Sequence, residues 1–558
     1  MYQLLRNTYV WLFLIFLLGA TVRFIHIDQI PVSLYWDETA IGYNAYSILH
    51  TGKDEYGAVM PVLFRSFNDY KLGGYIYLTV IPVLLFGLSE VAVRFWSAFF
   101  GSISVFLMYL FALQVLSFTK VPEKSHRFVA LIASLLLAIS PWLINFSRVG
   151  FEANVGACVI VGSISIFLYY LRSQKIRWYL VSTLLCVASI YFYRSEWVFV
   201  PMIFLFAHLL FWREIHKKIV LLYAFVIFLV LSLPLVIAVR SESLSDRSLQ
   251  VTFLQQDVDK LNYDLAQNRL KFKMVGGDII FNRRLLRVYQ LGQNYVSNLS
   301  PQYLFISGDP EIRHGARGLG VLYWIDEPLL LAGLWFLLTQ RSKGCWLLLG
   351  WVLLAIIPAA IALPNPHALR SLPAAWGYLM SIALGIWWVS ERFTKRTWIV
   401  LGLIGIGYLG CFLFFLYQYF VVTPPLAAYN FGDGYKQLHA YLQSQKGYDK
   451  FIISGEYWKP YIYFLFYDRY DPSLYQKTGS ESGYGKYLFG PTGWDQVDAK
   501  MAGLSNVNLS SYAGTNKVLV ALSPKEYHFQ REKYGVSDAI HVIYNHAGYP
   551  MFYIARPW

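Results

Sequence analysis

Residues 33–77 read SLYWDETAIGYNAYSILHTGKDEYGAVMPVLFRSFNDYKLGGYIY and form the first long polar interruption after a hydrophobic segment. The stretch contains two adjacent acids, Asp37 and Glu38, and Lys71 lies near its end. Carboxylates close to a membrane are costly unless they are solvated or paired. A polar loop of this kind beside apolar chain therefore indicates a functional site.

The composition is typical of a polytopic membrane protein. Of the 558 residues, 56% are hydrophobic and 14% are charged, and the mean hydropathy is +0.43. The net charge of +14 does not indicate nucleic-acid binding, because much of the Lys and Arg lies in short clusters between apolar runs. The four cysteines fall in apolar runs without pairing spacing, so we expect them to form neither a structural disulfide nor a zinc site.

Eleven apolar runs have the length and composition of transmembrane helices. They are residues 9–27, 94–116, 128–146, 150–171, 177–193, 197–212, 219–239, 321–340, 344–363, 368–389 and 396–419. Basic clusters occupy every second connection, and the positive-inside rule assigns those connections to the cytoplasm. This alternation requires the apolar segment 72–88 to be a juxtamembrane or re-entrant helix on the outer side.

The sequence predicts two domains. Residues 1–420 form a transmembrane domain with outer loops 28–93 and 240–320, and residues 421–558 form a small soluble α/β domain outside the cytoplasm. In the second domain we expect a helix at 433–445, buried strands at 450–454 and 517–522, and a hairpin of 541–544 with 551–554. In the second outer loop, residues 244–295 are compatible with helix and the glycine-rich stretch 307–320 reads as an ordered loop.

Arginines and histidines recur at the predicted outer ends of the helices, although the positive-inside rule predicts few cations there. They are Arg94, Arg148, Arg194, Arg313, Arg317 and Arg370, with His314 and His367. A ring of cations at the membrane surface suits a phosphate. The acids among them, Asp37, Glu38, Glu152 and Glu196, could balance this charge, coordinate a divalent cation or act as a general base.

One acid and one lysine in the same outer loop can serve two parts of one reaction. The acid takes the proton of an acceptor hydroxyl, and the lysine stabilises a departing phosphate. This pattern fits glycosyl transfer from a polyprenyl-phosphate sugar whose hydrocarbon tail lies between the helices.

Four blocks of sequence also resemble a known family. They are WDET at 36–39, NDYKLGGYIYL at 68–78 followed by GLSEVAVRFWSAFFG at 87–101, SPWLINFSRVGFEAN at 140–154, and PHALRSLPAAWGYL at 366–379. Together they resemble the membrane glycosyltransferases of the C-type (GT-C) fold. The likeness is to the branch that includes protein O-mannosyltransferases and aminoarabinose lipid A transferases.

The resemblance implies roles for the first-loop residues. Asp37 matches the family's first-loop acid, a general base or a residue that organises the acceptor and any bound metal. Glu38 matches the second acid of the pair. Lys71 matches a lysine that holds the donor phosphate, although Leu72, Gly73 and Gly74 replace the prolines that usually follow it.

Further site residues come from the later blocks. Glu152 stands where the family usually has an aspartate, and with Asp37 it is the candidate ligand pair for a divalent cation. His367 and Arg370 match a recurrent block and are assigned to donor-phosphate or acceptor binding. Arg94 and Arg148 are candidate donor-phosphate ligands.

Several of these residues have a structural alternative. Asp37 and Glu38 could be an exposed acidic helix start, and Lys71 an interfacial lysine extended to lipid headgroups. Arg94 and Arg148 could anchor helix ends to lipid phosphates. His314 is expected at the surface, and His367 could be a simple loop residue.

The sequence as a whole predicts a membrane glycosyltransferase that uses a polyprenyl-phosphate sugar on the outer face, in the plasma membrane of a prokaryote. Its acceptor is a hydroxyl of a protein, a glycolipid or a cell-surface glycan. We expect inversion at the anomeric carbon, because no second carboxylate is available as a covalent nucleophile. The alternatives are a transporter or flippase of lipid-linked substrates, which predicts inverted repeats and midplane charge, and a display protein that has no use for the acid and lysine.

Overall fold

The computed structural model of the chain describes residues 7–67, 69–241, 283–393, 395–457, 459–490 and 517–557, together with 267 and 509. By its internal contacts the chain divides into two compact units. The helical unit comprises Met1–Ile25 and Ser97–Gln418, and the mixed unit comprises His26–Trp96 and Tyr419–Trp558. The first polar loop thus groups with the C-terminal region. The predicted domain boundary at residue 420 stays a prediction.

The helical unit consists of helices joined mostly by short connections. In chain order they are α1 (Thr8–Phe24), α4 (Glu90–Leu116, which starts in the mixed unit), α5 (Glu123–Ile139), α6 (Pro141–Arg148), α7 (Glu152–Ser173), α8 (Ile176–Ser189), α9 (Glu196–Leu210), α10 (Ile219–Ser241), α11 (Arg283–Ser297), α12 (Asp326–Gln340), α13 (Lys343–Ala355), α14 (Ile357–Ile361), α15 (Ala374–Arg392) and α16 (Thr397–Tyr417). Most of the predicted 244–295 helix lies outside the described residues.

Five stretches among the described residues are helical, long and apolar enough to cross a membrane. They are Glu90–Leu116, Glu152–Ser173, Ile219–Arg240, Lys343–Ile361 and Thr397–Ala427. A sixth is formed if α5 and α6, which meet at 52°, are one broken span. Several other predicted spans are apolar helices of 10–17 residues, α1, α8 and α9 among them. The protein is therefore helical and membrane-integral in character, and the count of eleven stays a prediction.

The break between α5 and α6 follows from two residues. Pro141 has no backbone N–H with which to continue α5, and it occupies the first position of α6, where no N–H is needed. The Ser140 side chain accepts a hydrogen bond from the Leu143 N–H at 3.4 Å and caps the new helix. The single apolar run predicted at 128–146 is therefore two helices. The run is continuously apolar, but its helical hydrogen bonding is interrupted at Pro141.

Two buried arginines fasten the end of α1. The Arg23 guanidinium donates to the carbonyls of Gly19, Ala138 and Leu137 at 3.0, 3.0 and 3.2 Å, and so joins α1 to the end of α5. The Arg148 guanidinium donates to the carbonyls of Val22 and Ile25 at 2.5 and 2.8 Å. These bonds satisfy carbonyls that a helix end leaves unpaired.

Helices α12 and α15 approach so closely that their contact requires glycine on both sides. A Cβ atom at Gly333 would lie 1.9 Å from the Ser381 carbonyl oxygen, and one at Gly385 would lie 2.0 Å from that of Leu329. Small residues at such contacts allow backbones to pack directly against each other in membranes.

The mixed unit contains two sheets and short helices. Its elements are α2 (Trp36–Thr51), β1 (Leu63–Ser66), β2 (Asp69–Leu72), α3 (Gly73–Phe86), α17 (Thr423–Ala427), α18 (Tyr435–Ser444), β3 (Lys450–Ile453), α19 (Pro460–Asp468), α20 (Pro472–Thr478), β4 (Gly483–Tyr484), β5 (Tyr487–Phe489), β6 (Val518–Leu522), α21 (Pro524–Tyr534), β7 (His541–Tyr544) and β8 (Pro550–Ala555). Strands β1 and β2 form an antiparallel hairpin that pairs Phe64 with Lys71.

The C-terminal strands form a six-stranded sheet in the order β4-β5-β3-β6-β8-β7. Strand β3 is parallel to both β5 and β6, and the outer pairs are antiparallel. All five residues of β6 are buried, as expected of a central strand covered on both faces. The predicted strands at 450–454 and 517–522, the helix at 433–445 and the closing hairpin are confirmed to within a few residues.

The glycine contact between α12 and α15 yields a direct test. Gly385→Ala places a methyl group against the Leu329 carbonyl, and overpacking of this kind costs about 1–3 kcal/mol. We expect a lower melting temperature by thermal unfolding of the detergent-purified protein. The matched control is Gly402→Ala in α16, where no atom lies within 4 Å of the added carbon. That substitution should leave the melting temperature unchanged or slightly raised, and equal losses in both variants would contradict the close packing.

Candidate functional site

Asp37 and Lys71 form an ion pair at the start of α2. Asp37 lies in the first turn of the helix, where the helix dipole favours a carboxylate. The β1-β2 hairpin brings the Lys71 ammonium to 2.5 Å from the Asp37 carboxylate oxygen. The Asp37 side chain is 30% exposed and that of Lys71 is 16% exposed, so a ligand can reach the pair.

Glu38, the next residue, is turned into the mixed unit and is fully buried. One carboxylate oxygen accepts from the Arg94 Nε at 2.8 Å, and the other accepts from an Arg94 terminal nitrogen at 3.1 Å and from the backbone N–H of Tyr35 at 3.3 Å. The last contact satisfies the backbone N–H of Tyr35, the residue that precedes the helix. Glu38 therefore fixes the turn that carries Asp37.

Arg94 uses all five of its guanidinium N–H groups within the protein. Besides the two bonds to Glu38, it donates to the backbone carbonyls of Ile27 and Pro31 at 2.8 and 3.0 Å and to that of Ser33 at 2.5 Å. The side chain has no exposed surface. This geometry leaves no donor for a phosphate, so the predicted phosphate role of Arg94 has no support here.

The remaining predicted residues lie in the helical unit and are placed in three groups. Arg148 is occupied at the end of α1, as described above. Glu152, the first residue of α7, and Arg370 both interact electrostatically with Tyr193, and Arg370 also forms a side-chain hydrogen bond with it. Arg370 also donates to the Leu363 carbonyl at 2.7 Å. The predicted pairing of Asp37 with Glu152 around a metal joins residues of different units and stays a prediction.

His367 belongs to a cluster with Asp309 and His314. The Asp309 Oδ2 atom lies 2.9 Å from the His314 Nδ1 atom and 3.9 Å from the His367 Nδ1 atom. One potential ligand atom from each residue lies within 4.8 Å of the others, so the cluster has the composition and spacing of a metal site. The expectation of a surface position for His314 was wrong: the residue is 7% exposed, because its ring packs against Phe146 and Phe151.

The loop that carries Asp309 and His314 also encloses a cavity of about 280 Å³. Its walls are Pro141, Trp142, residues 307–310, Ile312 and residues 314–321. Helix α6 holds this loop in place, since the Asn145 amide donates to the Arg313 carbonyl at 3.1 Å.

A buried acid of the mixed unit was not recognised in the sequence. Glu55 follows α2 and is 1% exposed, and its backbone N–H donates to the Asn44 side chain at 3.0 Å. Burial raises the pKa of Glu55 well above its usual range, and the nearby carboxylates of Glu481 and Asp54 add to this. Glu481 itself accepts from the Tyr56 hydroxyl and pairs with Lys459 at 2.8 and 3.0 Å.

Solved structures with the same fold are membrane glycosyltransferases. ArnT from Cupriavidus metallidurans superposes with a TM-score of 0.54 in the apo state and 0.52 when bound to undecaprenyl phosphate, at 12% identity. The apo comparison covers 99% of this chain and 98% of ArnT. The archaeal oligosaccharyltransferase AglB from Archaeoglobus fulgidus, in complex with an inhibitory peptide and a dolichol-phosphate, superposes with a TM-score of 0.51 at 14% identity over 98% of this chain and 74% of AglB.

These comparisons confirm the resemblance to the C-type glycosyltransferase fold. No protein-family model and no curated protein sequence matches the chain. The likeness is therefore one of fold. A second AglB structure was determined in complex with Zn and sulfate, which is compatible with a divalent metal in proteins of this fold.

Breaking the buried Glu38–Arg94 pair should cost more stability than breaking an exposed ion pair of the same unit. Glu38→Gln leaves the Arg94 charge buried without its partner, which typically costs about 3–5 kcal/mol. We expect a lower melting temperature and faster proteolysis of the chain around residues 27–35. Lys436→Gln is the control, because it breaks the exposed pair with Glu90 and should cost at most about 1 kcal/mol. Equal effects would show that the buried pair does not hold the loop.

Glu55 predicts a pH dependence of stability. Because its pKa is raised in the folded state, the fold favours the protonated acid, and this contribution is lost as the pH rises above about 4.5 towards the folded-state pKa. Each unit of the rise costs about 1.4 kcal/mol once the group is ionised. Glu55→Gln should raise the melting temperature at pH 8 and have little effect at pH 4.5. Glu532→Gln, at an exposed position of α21, should leave the profile unchanged.

Proposed function

We propose that the protein is a glycosyltransferase that moves a sugar from a polyprenyl-phosphate donor to a hydroxyl group of a protein, a glycolipid or a cell-surface glycan. The observation that carries this proposal is the accessible Asp37–Lys71 ion pair. The pair supplies a carboxylate and an ammonium at one place, as the reaction needs. The ligands bound in the structural neighbours, undecaprenyl phosphate in ArnT and dolichol-phosphate in AglB, support a lipid phosphate as part of the donor.

The reaction is a single displacement. The acceptor oxygen forms a bond to the anomeric carbon while the bond from that carbon to the phosphate oxygen breaks, and the configuration inverts. Asp37 takes the acceptor proton, and the leaving polyprenyl phosphate departs as an anion stabilised by Lys71.

The ion pair also links donor binding to activation of the base. Without donor, Lys71 neutralises Asp37. A donor phosphate competes for the ammonium, and when Lys71 turns to the phosphate the Asp37 carboxylate becomes free to accept a proton from the acceptor. Asp37 is thus most available as a base when the donor is bound.

The other predicted residues support this pair. Glu38 and Arg94 act as positioning residues, because they hold the first turn of α2. Glu152 is proposed to assist Asp37 or to hold a divalent cation, and Arg370 and His367 are proposed to bind the donor phosphate or the acceptor.

The finer features of the architecture belong to this proposal. We propose about eleven transmembrane helices, with α3 lying at the outer surface, and a C-terminal α/β domain and an active site outside the cytoplasm of a prokaryotic cell. The short basic connections between apolar helices support this orientation.

Two substitutions test the mechanism. With purified protein and synthetic polyprenyl-phosphate sugars, Asp37→Asn should lower the rate of transfer by about 10²–10⁴-fold, since a general base is lost. The donor KM should stay the same or fall, because Lys71 is no longer held by a carboxylate. Lys71→Ala should raise the donor KM and lower kcat.

Asp28→Asn, at an exposed position before the loop, is the control and should retain full activity. Transfer by the Asp37→Asn variant at the wild-type rate would overturn the assignment of the base. Movement of the donor across a vesicle membrane without any transfer, in all variants alike, would establish the transporter instead.

A further inference from the structure

The cluster of Asp309, His314 and His367 has distances close to those of a bound zinc ion. Zinc binds imidazole nitrogen and carboxylate oxygen at about 2.0–2.2 Å in tetrahedral sites, which separates neighbouring ligand atoms by about 3.4 Å. The distances from Asp309 Oδ2 to the two Nδ1 atoms are 2.9 and 3.9 Å, one on each side of this value. A change of about half an ångström in each of these two distances would bring both to the value expected around zinc.

A second observation points to a ligand at this place. His367 is 6% exposed, and its Nδ1 atom has no hydrogen-bond partner among the described residues. A buried polar atom of this kind is costly unless something satisfies it. The atom faces the Asp309 carboxylate at a distance too long for a hydrogen bond, and a cation between them would satisfy both.

The surrounding contacts fix the orientation of the ligands. Asp309 accepts from the backbone N–H of Glu311 at 2.8 Å and from that of Ala368 at 2.6 Å. The Asn298 side chain accepts from the backbone N–H of His367 at 3.1 Å. Such outer contacts orient metal ligands in known sites.

We propose that Asp309, His314 and His367 bind one zinc ion through Oδ2, Nδ1 and Nδ1. Two imidazoles and one carboxylate favour zinc over magnesium and calcium, which prefer oxygen ligands. The proposal rests on residues of the helical unit alone and does not depend on the proposed transfer reaction.

The ion would join two loops that are distant in the sequence. Asp309 and His314 belong to the loop that encloses the cavity, and His367 belongs to the connection before α15. Three protein ligands would leave a fourth position open, and two of these ligands, Asp309 and His314, line the cavity. Zinc therefore holds the cavity wall in shape.

The contacts within the cluster define the competing interpretation. A hydrogen bond between His314 and Asp309, together with the bond from the Ala368 N–H, could tie the loops without any metal. The two interpretations differ in whether zinc binds and in whether His367 is needed for it.

Zinc binding can be measured on the full-length protein in detergent after treatment with a chelator. Titration with zinc chloride against a chromophoric chelator, in excess magnesium, should show one equivalent bound to the wild type. His314→Gln and His367→Gln should each weaken binding by more than about 100-fold, since each removes a direct ligand. His208→Gln is the matched control, because His208 is also a buried histidine of the helical unit but bonds to Tyr179.

Two further readouts keep the test independent of folding and activity. Cobalt substituted into the wild type should give the strong visible absorption of a tetrahedral site, and the bands should be absent in either cluster variant. Zinc should raise the melting temperature of the wild type and of His208→Gln but not of the cluster variants. Absence of a bound equivalent in the folded wild type, or equal binding by the cluster variants, would overturn the proposal.

Discussion

The buried ion pair between Arg94 and Glu38 is the constraint on which the first polar loop depends. A buried guanidinium is tolerated only when its charge is paired and its N–H groups are satisfied. Here one carboxylate balances the charge, and three backbone carbonyls take the remaining hydrogen bonds. The loop before α2 is thus wrapped around a fixed cation, and the first turn of the helix has one available orientation. The orientation of that turn sets the position of the accessible neighbour, Asp37.

The adjacent acids Glu38 and Asp37 therefore have different roles, because one is buried and the other is partly exposed. Glu38 is fully buried and holds the helix start, whereas Asp37 is partly exposed and pairs with Lys71. Because the Asp37–Lys71 pair is partly exposed, exchanging its carboxylate for a phosphate costs the fold less than breaking the fully buried Glu38–Arg94 pair. The buried pair cannot be exchanged in this way. In the proposed reaction, Lys71 can therefore exchange Asp37 for a phosphate while the buried Glu38–Arg94 pair keeps the start of α2 in place.

Sequence reasoning succeeded where local patterns determine structure. Alternating and continuous apolar runs located β3, β6 and the β7-β8 hairpin, and the resemblance placed Asp37 and Lys71 in one loop, where they meet. It failed where the outcome depends on residues far apart in the chain. Asp309 and His367 are 58 residues apart, and no local pattern shows that they meet. A sequence also does not show which carbonyls surround a guanidinium, as they do at Arg94 and Arg148. Arg23 could have been found, since an arginine in an apolar run demands a partner.

Arg23 has a consequence for how the chain is made. Its own helix supplies one acceptor, Gly19, whereas Leu137 and Ala138 are synthesised 114 and 115 residues later. Until that part of the chain emerges, the first hydrophobic helix carries a cation whose hydrogen bonds must be supplied by water or lipid headgroups. Until α5 is made, the charge of Arg23 favours a position of the first helix near the membrane interface. These contacts of α1 can form only after α5 has been made, because α5 supplies two of the three carbonyls that Arg23 contacts.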